Sequence, residues 1–213
     1  QAVELSVPRI EAEDRAYVVP IRIGDTIRTG SGRGIVHIFT RYSSERLVLE
    51  VDPSTEVVFR SVGTGTSDVS PTLLRIVRGM IRFRYTAESS SDTLSLEVGA
   101  SLLRAGPGSD VVISYDPDEG IGGVWTREGN MDVISSRTGE TEFLGDGWGL
   151  VMEEGNDGAY SLLTDDLWDD ITLGSVMDDV KPCKVLAVEP TGRPGGRPLA
   201  LVEFEESNLS LIL

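Results

Sequence analysis

One cysteine and one histidine are all that the 213 residues contain, and aromatic residues make up only 6%. With Cys183 alone, no internal disulfide can form. One His and one Cys also cannot assemble the usual nitrogen-and-sulfur zinc site from a single chain. The same scarcity bears on catalysis, because a Ser-His-Asp or Cys-His arrangement needs a base and His37 is the only imidazole. His37 stands between Val36 and Ile38 on a strand-like run, where a structural histidine is the simpler reading. Cys183, between Pro182 and Lys184, reads as an inert thiol. No enzymatic activity is expected.

Basic residues are also few, and they are unevenly placed. Residues 1–115 carry 14 acids against 13 Arg and no Lys, whereas residues 116–213 carry 21 acids against 6 bases. The net charge of −16 argues against nucleic acid as a partner, since phosphate binding needs the opposite field. The acidic half suits solubility, a basic partner or a divalent cation. No apolar run approaches the roughly 18 residues that span a bilayer, so no membrane span is expected in this chain. The chain opens on Gln1-Ala2-Val3 rather than on Met, and a periplasmic or secreted protein after signal-peptide removal is the expectation.

What is abundant is turn chemistry, with 24 Gly and 10 Pro. Short runs of period two lie between these residues: Val19, Ile21 and Ile23; Ile81, Phe83 and Tyr85; Leu94, Leu96 and Val98. Pro20 cannot donate to a ladder and places its strand at an edge. The runs 35–40, 47–51 and 56–60 follow one another too closely for a crossover helix, so they must join directly. Further strands are expected at 73–77, 111–115, 124–126, 131–135, 143–149 and 150–152. In 30–34, reading Gly-Ser-Gly-Arg-Gly, a phosphate loop is not expected because a strand rather than a helix follows, so its glycines read as turn residues.

Beyond residue 155 the period changes. Leu163, Leu167 and Ile171 recur every fourth residue with Trp168 beside them, predicting one short helix near 163–173. Thr164 can cap its start, and Gly174 can end it. Runs at 184–188 and 199–204, joined by the Gly- and Pro-rich 189–198, predict a β-hairpin. The fold class is therefore all-β, of mainly antiparallel or solenoid-like short strands, with a β-sandwich as the alternative. A β domain over 1–155 and an acidic C-terminal segment over 156–213 are expected.

The stretch 24–59 has a recognisable order. Gly24-Asp25-Thr26-Ile27-Arg28-Thr29-Gly30 opens it, the apolar strand 35–39 follows, then Leu47 to Leu49, then Ser54-Thr55-Glu56-Val57. With Leu73 to Tyr85 around Gly79, and weaker likeness through 127–133 and 144–149, this resembles the FecR-like domain of bacterial envelope proteins over about 20–153. Two turns differ from the family pattern: Arg41-Tyr42-Ser43-Ser44-Glu45, and Arg104 to Ser109. The resemblance implies an all-β extracytoplasmic module that recognises another envelope protein, self-associates, or serves assembly or signalling. A glycan- or calcium-binding β module is the alternative.

Candidate binding residues are Arg82, Arg84 and Tyr85, which could stack on a ligand or partner, together with Trp168. An exposed strand, with its arginines toward solvent and its rings toward the core, is the simpler account of the first three. No metal site is assigned. The nearest to calcium ligands are Asp116 and Asp118 in a turn and Asp165 and Asp169 beside the helix, for which a solvated helix face is the simpler account.

Overall fold

The computed structural model describes residues 4–5, 17–20, 23–40, 44–61, 73–86, 93–153, 159–173, 175, 177–179, 199–204 and 209–212. In chain order the first strands are β1 (Glu4–Leu5), β2 (Tyr17–Pro20), β3 (Thr26–Thr29), β4 (Gly34–Thr40), β5 (Ser44–Val51) and β6 (Glu56–Ser61). The long β7 (Leu73–Tyr85) leads to β8 (Leu94–Val98), β9 (Ser101–Ala105), β10 (Ser109–Asp116), β11 (Ile121–Glu128) and β12 (Met131–Ser135). Then come β13 (Thr141–Leu144), β14 (Trp148–Glu153), β15 (Ala159–Leu162), the helix α1 (Asp165–Ile171) and a 3-10 turn at Met177–Asp179. The last two strands are β16 (Leu199–Phe204) and β17 (Leu209–Ile212).

The two halves of β7 pair differently, and this divides the fold. Residues 73–78 pair with β6 and, in parallel, with β8, whereas residues 79–85 pair with β5 and β10. One layer, A, therefore runs β1-β17-β3-β6-β7-β8-β9-β12-β13. The other, B, runs β2-β16-β4-β5-β7-β10-β11-β14-β15. Only β7–β8 is parallel among these pairs. Hydrogen bonding is continuous through β7, so the 17 strands form one sheet folded back on itself.

The parallel pair explains why β7 must bend. Straight, its 13 residues would span about 40 Å, whereas the chain from Tyr85 to Leu94 reaches roughly 30 Å at most. Yet Leu74 is paired with Leu96, so the end of β7 must lie close enough to its start for that return. The bend falls at Gly79, with φ at +88°. A Cβ there would lie 2.3 Å from Thr55 Oγ1 and 2.6 Å from the Thr55 Cα, which only glycine avoids.

Around Gly79 the 24–59 stretch closes into a network of neutral hydrogen bonds. The Thr55 hydroxyl accepts from the Met80 amide at 3.0 Å and donates to its carbonyl at 3.1 Å. The Thr29 hydroxyl accepts from the Thr55 amide at 2.9 Å and donates to the Asp52 carbonyl. The Gly24 amide donates to the Phe59 carbonyl at 2.7 Å, and the Phe59 amide returns to the Asp25 carbonyl at 2.9 Å. Both threonines are buried, so each of these groups needs its partner.

The inner faces of both layers share one core. Ile27, Phe59, Leu74, Leu96, Leu103 and Met131 come from layer A, and Val36, Leu49, Ile81, Phe83, Ile113 and Val124 from layer B. The all-β expectation with one short helix holds, and the arrangement is two facing layers rather than stacked coils. β2 pairs only with β16 among the described residues, as Pro20 requires of an edge strand. Four short strands were not predicted: β3, β9, β15 and β17. The runs at 73–77 and 81–85 are joined through Arg78-Gly79 into the single strand β7.

Of the expected C-terminal hairpin, the second run is described: as β16 it pairs with β2 and β4 over Leu199–Val202. Its first run, 184–188, together with Cys183, the loop 189–198 and Gly174, lies outside the described residues. β17 likewise lies between β1 and β3, so the segment after 155 is built into both layers.

Candidate functional site

Alternation along layer B sends every second side chain to its outer face. Glu50 on β5 stands directly opposite Arg82 on β7, and Arg84 opposite Asp110 on β10. Arg82 grips Asp110 with two bonds, Nε to Oδ1 at 3.0 Å and Nη2 to Oδ2 at 2.9 Å. Arg84 Nε adds a third bond to Asp110 at 3.2 Å. At the neighbouring strand end, Arg33 Nε lies 2.6 Å from Asp52 and 3.2 Å from Glu50.

The segment after β15 lies over this face. α1 begins after Thr164, whose hydroxyl accepts from the Leu167 amide, and it ends at Thr172 rather than at Gly174. Its one buried residue, Trp168, sits between two guanidiniums, with Arg82 at 5.0 Å and Arg127 at 5.4 Å from the ring centre. Such contacts contribute on the order of 0.5–2 kcal/mol each. Asp178 bonds to Arg82 at 2.9 Å and also to Arg84. Ser175 donates to Glu50 and accepts from Arg82, while Leu173 offers its carbonyl to Arg33. Met177 is fully buried with Ile35 and Val48. Only about 10 Å³ of space is left between strands and cover beside Glu50 and Arg82.

Charge settles accordingly. Burial opposes the charge on Arg82, but its bonds to Asp110 and Asp178 and their fields outweigh it, and its pKa is raised. The bond from Arg82, with the nearby Arg84 and Arg127 charges, holds the Asp178 carboxyl below the usual carboxylate range against a smaller effect of burial.

The sequence-nominated residues separate. Arg82, Arg84 and Trp168 come together, but Arg82 is only 4% exposed, so the expectation of arginines facing solvent is corrected at Arg82, while the Arg84 side chain stays 35% exposed. The cause is the 165–178 cover, which strand periodicity cannot reveal. Tyr85 points the other way, into the shared core, and cannot stack with them. Asp116 accepts the amides of Asp118 and Glu119 within its turn. Asp165 and Asp169 are exposed on α1. Among the described residues no three His, Cys, Asp or Glu side chains gather as a metal group would require.

Sequence reasoning missed the far end of the fold, beyond β12 and β14. A cleft of about 340 Å³ opens there between the layers, with Tyr115, Val133, Leu150 and Met152 on its floor and Arg137, Glu140, Glu142 and Glu153 around it. His37 is buried and does not line it. Beside it Tyr160 donates to Glu142, and partial desolvation together with that carboxylate pushes the phenol up to about 12. Phe143, Trp148 and Leu162 are 67%, 45% and 61% exposed on the same strands. The signal available in sequence was apolar residues on strands near the end of the block, which reads equally as core.

No protein-family model matches the chain, and no curated protein does. Solved structures do. One of a candidate anti-sigma factor from Parabacteroides distasonis aligns with a TM-score of 0.50 at 12% identity, over 64% of this chain and 59% of that one. A second structure of a candidate anti-sigma factor from the same organism gives 0.45 at 10% identity, over 70% and 60%. The match thus spans about three fifths of each of these proteins, and what it establishes is a shared fold.

Proposed function

We propose that this chain is a FecR-like, non-enzymatic recognition module that works outside the cytoplasm, binding another protein of the bacterial envelope in a signalling or assembly role. The observation that carries the reading is the far end of the fold, where Phe143, Trp148 and Leu162 stay exposed although the core of the same layers is closed. Large apolar side chains left exposed at one end of a folded domain mark an interaction site. The Gly24-to-Phe59 order and the fold shared with a candidate anti-sigma factor support the family and the regulatory setting.

The test places a photo-crosslinking residue in turn at Ile23, Phe143, Leu162 and Leu173, all exposed, and exposes each protein to envelope extract of its native host. A single discrete partner crosslinked from at least one position is expected. Absence of any discrete product from all four positions overturns the reading.

A further inference from the structure

Resting on that reading, we propose that the partner presents an extended segment bearing Arg or Lys alternating with apolar residues, and that this segment adds as a strand to the open edge of β13. Among the described residues β13 pairs only with β12, and none of them occupies its other edge. The residues around that edge are those a strand there would meet. Leu144 reaches the core, so Glu142 two residues before it shares the inward direction, while Phe143 points outward.

On the facing layer, Trp148 pairs with Leu162 and Leu150 with Tyr160, so these four side chains share one face. Leu150 is buried by layer A, yet Trp148, Tyr160 and Leu162 are 45%, 49% and 61% exposed. The bond from Tyr160 to Glu142 shows that this face looks across at β13. One more strand beside β13 would cover the exposed face from the opposite layer, and its outward residues would lie against Phe143. A strand added to β15 would leave Phe143 uncovered.

Charge selects among occupants. The inward residue of the incoming strand opposite Glu142 would also lie beside the cleft, where Glu140, Glu142 and Glu153 outnumber Arg137, so a cation is favoured there. A second copy of this chain, with its own −16 and its own Glu142, would bring like charges together. Strand addition gives main-chain affinity, and alternate side chains give selectivity.

The probe is a nine-residue peptide of alternating Arg and Val, compared with Glu-Val and Arg-Gly versions by calorimetry and amide hydrogen exchange. The Arg-Val peptide is expected to bind and to slow exchange at Thr141 to Leu144, with the Glu-Val and Arg-Gly peptides at least tenfold weaker. E142Q and L162S, both at surface-accessible positions, should each weaken binding several-fold with an unchanged melting curve. Equal binding of the three peptides, slowed exchange elsewhere only, or indifference to both substitutions overturns the proposal. So does a concentration-dependent dimer that protects β13 without peptide, which would make the occupant a second copy. If crosslinking captures a partner while the peptide fails, the recognition reading stands and this inference alone falls.

Discussion

Two polar networks lie along β7, and they do different work with different materials. The one at Gly79 uses Thr29, Thr55 and backbone groups, carries no formal charge in its hydrogen bonds, and ties 24–59 to the point where the sheet changes layer. The other, three residues on, uses Arg82, Arg84, Asp110 and Asp178 and ties the segment after β15 to the outer face. Short hydroxyls that bond neighbouring backbone fix the path of the chain. Long charged side chains fix what rests on the finished surface. The first network is therefore expected to set whether the sheet folds back at all, and the second to set how firmly its cover is held.

Gly79→Val tests the first network at its least tolerant point. A β-branched residue at φ +88° adds backbone strain, and its Cβ would fall 2.3 Å from Thr55 Oγ1 with the Thr55 Cα just behind. The expected outcome is loss of the cooperative thermal transition, read by far-ultraviolet circular dichroism. A cooperative transition within a few degrees of the unsubstituted protein would show that the bend tolerates a side chain, and would break the comparison on this side.

Arg82→Ala tests the second. It leaves Asp110, whose side chain is 10% exposed, without its bidentate partner, and it removes one of the two cations flanking Trp168. Breaking a buried pair from one side costs about 3 kcal/mol, and denaturant titration should show a loss of that order with cooperativity retained. Arg82→Met together with Asp110→Leu should recover much of it, since neither charge is then stranded. A loss under 1 kcal/mol for the alanine variant would mean that the network adds little to the attachment of the cover.

This contrast also explains what the sequence could and could not convey. Thr29, Thr55 and Gly79 act locally through backbone geometry, and all three stand in the short motifs at 24–59 and 73–85 that the sequence singles out. The outward direction of Arg82 and Arg84 was legible from alternation with Ile81, Phe83 and Tyr85. The burial of Arg82 was not, because Asp178 and Trp168 arrive from 96 and 86 positions away, and one-dimensional period says which face a residue takes without saying what covers it. The open end was illegible for the converse reason. Leu162 and Trp148 have the composition of core residues, and they stay exposed where, among the described residues, the facing layer stops at β13. β3 and β17 pair with each other across nearly the whole chain, and strands this short carry too little pattern to be read alone.

The smallest expected effect separates the two networks by pH. Asp178 is held below the usual carboxylate range by Arg82, so its contribution is fully present above the unfolded carboxylate value of about 3.9 and is lost as pH falls through the lower folded value. The Gly79 network has no group that titrates there. Acidification below about pH 4 should thus loosen the 165–179 cover while the sheet keeps its strand signal. Trp168 reports the change, since it is 4% exposed under the intact cover and its emission should shift to the red as the ring meets water. Asp178 is 61% exposed at its side chain, so solvent screens the pair and the shift should shrink further in molar salt. Subtracting the spectrum of an Asp178→Asn variant removes the constant signals of Trp125 and Trp148, and the variant should show a flatter response between pH 5 and pH 2. An identical acid response in both proteins would mean that Asp178 does not hold the cover, and that Met177 against Ile35 and Val48, with Trp168 and the bonds of Ser175 and Leu173, does so without it.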